Sequence, residues 1–304
     1  MTAPAIAHRY VNVDGVRVFY RETGPAGGLP LLLLHGFPTG SHQYRRLMDA
    51  LGDRYRMIAP DYPGFGHTET PDGFSYTFDR LADVTEGFTR ELGLDRFVLY
   101  MFDFGAPVGF RLATRDPDRI AGLIVQNANA YDDGLSDLAR TTIHTATADE
   151  IRTTLLAEST TRSQYEEGTA DPSLVDPSAW TLDQHFLDRP GRADAQVALA
   201  LDYRTNVALY PQWQAWLREH RPPTLIVWGS RDPFFTADGA RAYLRDLPGA
   251  ELHLFETGHF ALEEHLADIA TLVSGFMDRI TATAPADGSG VAHQPSVAGA
   301  PVAR

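Results

Sequence analysis

The sequence predicts an α/β architecture: a mostly parallel eight-stranded sheet flanked by helices, with a helical segment inserted late in the chain. Three observations lead there. Short apolar runs recur at intervals, separated by turn signals and helical stretches. The inner runs, such as LLLL and LIVW, are continuously apolar, the pattern of strands covered by helices on both faces. One long interval carries helical patterning and no strand. Strands alternating with helices imply βαβ units with right-handed crossovers.

In chain order, strand-like runs fall at 10–13, 16–22, 31–35, 57–60, 97–101, 123–126, 224–228 and 251–255. Helical stretches such as 41–51 and 78–92 lie between them. From 130 to 218 the helical patterning is broken only by DPSLVDPSAW and DRPGRAD, and so long an interval between two core strands is not a loop. It reads as a helical cap, with residues 1–129 and 219–282 forming the core domain. Residues 283–304 are rich in Ala, Pro, Gly and Ser and nearly free of bulky side chains, so a disordered C-terminal tail is expected.

Composition narrows the function. A chain of 304 residues with 43% hydrophobic and 22% charged residues can bury a sizeable core. A formal net charge of −14 argues against nucleic acid and against an anionic membrane surface as partners. The absence of cysteine removes disulfides, thiolate nucleophiles and Cys-ligated zinc. The start, MTAPAIAHRYVNVDG, has no basic segment followed by an apolar run, and no stretch is long and apolar enough to span a membrane. A cytoplasmic enzyme or small-molecule binding protein is the expectation.

The segment 96–115, RFVLYMFDFGAPVGFRLATR, carries the chemistry. A strand ends, Asp103 follows, and a helix opens with Gly105, Ala106 and Gly109 on its early turns. That arrangement presents the Asp103 side chain on a tight elbow at a helix N-terminus, where the macrodipole favours an anion. A capping aspartate satisfies the same pattern, and this segment alone leaves the two readings level. Three other segments bear on the choice. The run 31–38, LLLLHGFP, is a strand followed by a His-Gly turn that brings the Phe37 N–H beside the elbow, where it and the Phe104 N–H form an oxyanion hole. Asp232 lies just past one core strand and His259 just past the last. Ligand sites of open α/β sheets gather at the carboxyl ends of strands, so these residues share one place.

The segments HGFP, DYPGFGHT (61–68), the elbow, WGSRDPF and TGHFALE together resemble the α/β-hydrolase superfamily. More narrowly they resemble its epoxide hydrolase and haloalkane dehalogenase branch, over about residues 8–280. The resemblance implies Asp103 as nucleophile, Asp232 as acid and His259 as base, in that order along the chain. It also implies Tyr203 as a proton donor, since LDYRTN (201–206) is similar to the tyrosine-bearing cap segment of epoxide hydrolases, and Tyr203 lies 29 residues before Asp232. A phenol there can protonate the alkoxide formed when an epoxide opens. Such enzymes usually carry a second cap tyrosine, for which Tyr131 and Tyr165 are the candidates. Departures are visible too. Met101 is bulkier than the small residue usual at the first elbow position. Phe37 and Phe104 stand where dehalogenases carry halide-binding side chains, and Phe104 stands where haloacetate enzymes carry Arg.

A carboxylate nucleophile selects the reaction. Attack on acyl carbon would leave a mixed anhydride, whereas in-line displacement at an sp³ carbon leaves a stable alkyl ester. Water activated by His259 then hydrolyses that ester, so no cofactor and no metal are implied. His253, His259 and His265 are badly placed for zinc. The expected partners are water and a small hydrophobic to amphipathic organic substrate. Further candidate contacts are His35, which also suits bracing the oxyanion loop, Asn127, Asn129, Tyr131, Tyr165 and Trp180. Three functions follow. The first is an epoxide hydrolase; the second a dehalogenase with unusual halide donors from Trp180 or the asparagines; the third a binding protein on a hydrolase scaffold, favoured by Met101.

Overall fold

The computed structural model describes residues 5–283. Eight strands form one sheet: β1 (Ala7–Val13), β2 (Val16–Thr23), β3 (Leu31–Leu34), β4 (Met57–Pro60), β5 (Phe97–Phe102), β6 (Ile120–Gln126), β7 (Thr224–Gly229) and β8 (Glu251–Phe255). Their order is β1-β2-β4-β3-β5-β6-β7-β8. The β1–β2 and β2–β4 pairs are antiparallel, and all pairs from β4 to β8 are parallel. The expected mostly parallel eight-stranded sheet is therefore present.

Burial explains the strand patterns. Every residue of β3, β4, β5, β6 and β7 is buried, because helices cover both faces there. Edge strand β1 is largely exposed. The helix Phe78–Glu91 shows how a covering element is specified. The Thr77 side chain accepts from the Arg80 N–H as an N-cap, and Phe78, Leu81, Ala82, Val84, Thr85 and Phe88 form one buried face. The predicted helix at 41–51 starts as a short 3₁₀ turn, Ser41–Tyr44, before Arg45–Leu51 continues as α-helix.

The helix Gly105–Arg115 lies almost against the sheet. A Cβ on Gly105 would stand 2.2 Å from the Leu34 carbonyl oxygen, and one on Gly109 would stand 2.5 Å from the Met101 sulfur. The bulk of Met101 is thus accommodated by the missing side chain of Gly109.

Between β6 and β7 the chain runs through helices, chiefly Asp137–Thr145, Glu158–Glu166, Pro177–Leu187, Arg192–Asp202 and Arg204–His220, with a π-helical turn at Ile151–Leu155. Polar contacts tie this insertion to the carboxyl-end loops. The Phe78 N–H donates to Asp202 Oδ2 at 2.8 Å, Gln196 Nε2 to the Gly64 carbonyl at 2.8 Å, and Arg45 bridges Asp176 and Glu263. Among the described residues no helix is long and apolar enough to cross a membrane. The expectation of a disordered tail falls on residues that, beyond Thr283, lie outside those described.

Candidate active site

Asp103 follows β5 directly and adopts φ +48°, a left-handed conformation that costs a non-glycine residue free energy. The strain presents its carboxylate above the strand end. A Cβ on Gly36 would stand 2.3 Å from both the Cβ and Oδ1 of Asp103, so the His-Gly turn needs glycine to let the nucleophile elbow past. The Phe37 N–H donates to Asp103 Oδ1 at 2.6 Å, and the Phe104 N–H is a second donor to this carboxylate. Burial pushes the Asp103 carboxyl up to about 6, against the opposing pull of His259 and the two N–H groups.

His259 is the second buried group. Its Nδ1 lies 2.6 Å from Asp232 Oδ2, and its Nε2 lies 3.9 Å from Asp103 Oδ2. Burial works to lower its pKa, but the charge and hydrogen bond of Asp232, with Asp103 behind, outweigh burial and raise it. Asp232 is fixed on every side. Its Oδ1 accepts from the Phe234 N–H at 2.8 Å and the Phe235 N–H at 3.1 Å, and its Oδ2 also accepts from Asn127 Nδ2 at 2.7 Å.

His35 sits outside the cavity and braces the turn. Its Nε2 accepts from the Tyr62 N–H at 3.1 Å, which assigns the Nδ1 proton to the 2.9 Å bond with the Gly36 carbonyl. Burial lowers its pKa to about 4, so it stays neutral. The loop 61–68 that supplies Tyr62 is itself wound around Asp61, whose Oδ1 accepts from the Ser41 N–H and Oδ2 from the His67 N–H.

A cavity of about 80 Å³ lies over Asp103. From the strand ends it is lined by Phe37, Asp103, Phe104, Phe234, Phe235 and His259, and from the insertion by Ala139, Thr142, Ile143, Leu155, Gln164, Ala200 and Tyr203. No Arg is among them. Tyr203, 5% exposed, packs its ring against Phe78 and Phe104. Its hydroxyl is fully buried and has the Tyr210 hydroxyl as its one polar neighbour, in a long hydrogen bond that contributes to its titration. Burial first, then Tyr210 and Asp103, hold its pKa well above the usual phenol value, so it stays protonated.

Six residues suggested as substrate contacts lie off the lining of this cavity. Asn127 is buried with φ +43°, and its side chain is spent on Asp232, the Gly229 N–H and the Gly229 carbonyl. Tyr131 donates to Asp246 Oδ2 at 2.7 Å, away from the cavity wall. Tyr165 donates to Asp183 Oδ2 at 2.5 Å and stacks on Phe260 at 3.7 Å between ring centres. Trp180 does not line the cavity; its ring lies 5.5 Å under the Arg162 guanidinium. His35 is likewise behind the wall, in the bracing position, and Asn129 is tied to the Tyr131 carbonyl and Tyr210 hydroxyl. Two cavity features escaped the sequence reading. Phe234 and Phe235 were within reach, because they follow Asp232 directly. Gln164 carried no motif to mark it.

Comparison with known proteins places this geometry in context. The family model for the alpha/beta hydrolase fold matches residues 30–266. An uncharacterized hydrolase of Saccharomyces cerevisiae is 40% identical over 272 residues, covering 86% of this chain and 94% of its own. A haloalkane dehalogenase of Mycobacterium marinum is 31% identical over 285 residues, covering 88% and 92%. The solved structure of haloalkane dehalogenase DbeA from Bradyrhizobium elkani superposes with a TM-score of 0.76 at 24% identity, covering 91% of this chain and 99% of that one, a likeness of fold.

Proposed function

The chain belongs to the α/β-hydrolase fold family, on its haloalkane-dehalogenase-like branch, and from that premise we propose a hydrolase that opens small epoxides through an alkyl ester on Asp103. The observation that supports the choice of epoxide is Tyr203: a protonated phenol on a residue that lines the same cavity as the carboxylate. In the first step Asp103 Oδ2, the oxygen not held by the Phe37 N–H, attacks an epoxide carbon. The C–O bond of the ring breaks, and the Tyr203 proton passes to the departing oxygen. In the second step His259 Nε2 takes a proton from water, and the hydroxide adds to the Asp103 carbonyl carbon. The Phe37 and Phe104 N–H groups hold the oxyanion, Asp232 stabilises the imidazolium, and collapse releases the diol. The proton on His259 returns to the Tyr203 phenolate through the product hydroxyl or solvent.

Halide displacement at the same carboxylate is the second reading, favoured by the named dehalogenase relative. Phe104 offers no side-chain donor to a halide, which weighs against it. Haloacetates fit poorly, because no Arg lines the cavity to meet a substrate carboxylate.

Replacing Tyr203 by Phe separates these chemistries. An alkoxide needs a proton, whereas a halide needs only hydrogen bonds. Formation of the Asp103 ester from propylene oxide should slow by roughly 10²-fold or more in Tyr203→Phe, within the range of general-acid contributions. Native rates in that variant, or a wild type that releases bromide from bromoethane and ignores the epoxide, would put the second reading first.

A further inference from the structure

We infer that Arg111 and Asn206 are positioning residues for Tyr203, together fixing it in the frame of the helix that carries the nucleophile elbow. The inference rests on the reading of Tyr203 as general acid given above.

Tyr203 occupies the junction between the helices Arg192–Asp202 and Arg204–His220, where the chain leaves one helix and enters the next. Helix ends leave backbone groups outside the regular ladder, so the direction of a residue at such a junction depends on what anchors its two sides. Both sides are anchored to the core. Before Tyr203, the Asp202 carboxylate accepts the Phe78 N–H at 2.8 Å, one of the donors that the first turn of the helix Phe78–Glu91 leaves free. After it, Asn206 donates its backbone N–H to the Tyr203 carbonyl at 2.9 Å, and its Oδ1 accepts from Arg111 Nη1 at 2.7 Å.

Arg111 is the common point. It lies in Gly105–Arg115, the helix that opens directly after Asp103 and Phe104. It is buried, with Nε donating to Asp79 Oδ1 at 2.6 Å and Nη1 also to the Pro107 carbonyl at 3.1 Å. Its guanidinium stands 5.8 Å from the centre of the Phe78 ring, and that ring meets Tyr203 edge-on at 5.6 Å between centres. One cation therefore reaches the tyrosine by two routes, through Asn206 behind it and through Phe78 against its ring. Burying a guanidinium is costly unless its donors are matched, and packing alone would be served as well by an apolar side chain. Neither Arg111 nor Asn206 lines the cavity, so their effect on the reaction passes through Tyr203. The outcome is a fixed geometry between the attacking carboxylate and the proton donor. Concerted attack and protonation require both at once, and a displacement of about 1 Å in such a group can cost 10²-fold in rate.

The test is a double-mutant cycle on formation of the Asp103 ester from propylene oxide, followed by rapid quench and intact mass. Asn206→Leu removes the acceptor for Arg111 and leaves Arg111 its bonds to Asp79 and Pro107. Tyr203→Phe removes the proton donor. Asn206→Leu alone should slow ester formation by roughly ten- to a hundredfold, the cost of a misplaced catalytic group. In the Tyr203→Phe background the same change should slow it by less than about twofold further, because no donor is left to position. Hydrolysis of the ester, which His259 drives, should stay within about twofold of wild type. Asn206→Asp keeps the acceptor and loses no bond, since the Asn206 Nδ2 has no partner, and it should restore ester formation to within about threefold of wild type. Arg111→Met should repeat the Asn206→Leu result from the other end of the bond. Equal losses from Asn206→Leu in both backgrounds would mean that the pair only holds the insertion in place, and would overturn the proposal. Native ester formation in Asn206→Leu would overturn it too. Native ester formation in Tyr203→Phe alone would instead overturn the reading of Tyr203, an outcome that the cycle separates from the other two.

Discussion

At the strand ends, Asp103, Asp232 and His259 are each held by neighbours: two backbone N–H groups on Asp103, two more and Asn127 on Asp232, and Asp232 on His259. From the insertion, Tyr203 lines the same cavity, and its hydroxyl has only that of Tyr210 beside it. The difference follows from the order of the chemistry. Groups at the strand ends act on atoms whose positions are the same for every substrate, so they can be fixed before substrate arrives, and the strain at Asp103 is part of that fixing. A donor on the insertion must meet an atom carried by the substrate, and it is held by fewer neighbours.

The contrast predicts unequal responses to damage. On the strand-end side, Asn127→Ala should be the more harmful change, because it strips one bond from the acid that orients His259 and leaves the Gly229 N–H unpaired. Ester hydrolysis should fall roughly ten- to a hundredfold, as for supporting hydrogen bonds at other sites, and stability should drop by about 1–3 kcal/mol. Chemical denaturation alongside rapid quench checks both. Native hydrolysis in this variant would mean that backbone bonds alone fix Asp232.

A smaller effect comes from pH. Burial raises the Asp103 carboxyl to about 6, and only the carboxylate attacks, so its active form is lost as pH falls through that value. Ester formation should decline about tenfold for each pH unit below the midpoint, by simple titration of one group. The rate should be flat above it until another group intervenes. A midpoint near the ordinary carboxylate value would mean that the cavity is wetter than its apolar lining implies.

The same contrast explains what could be read in the sequence. The strand ends were legible because their constraints are local. Continuously apolar runs marked buried strands, and Gly36, Gly105 and Gly109 stood at the close approaches that the elbow requires. Asp232 and His259 stood directly after strands, where topology alone gathers them. Asn127 was noticed for the right position and given the wrong partner, since its bond to Asp232 crosses between neighbouring strands. The insertion was legible as helix and little further. Nothing local distinguishes Tyr165, whose hydroxyl is spent on Asp183, from Gln164 beside it, which faces the cavity; one helical step separates the two. Tyr203 was found only because its segment resembles one in related enzymes. Met101 looked obstructive in sequence because its packing partner, Gly109, lies a turn into the next helix.

The central claim is that the Asp103 carboxylate, and not water, makes the first bond to substrate. A single turnover in heavy-oxygen water, with enzyme in excess over propylene oxide, tests it most directly. The account predicts that the diol formed carries ordinary oxygen drawn from Asp103, and that the heavy oxygen appears in the proteolytic peptide containing Asp103. In His259→Gln the same peptide should instead retain the alkyl group. Heavy oxygen in the diol on the first turnover, with none in the peptide, would contradict the account.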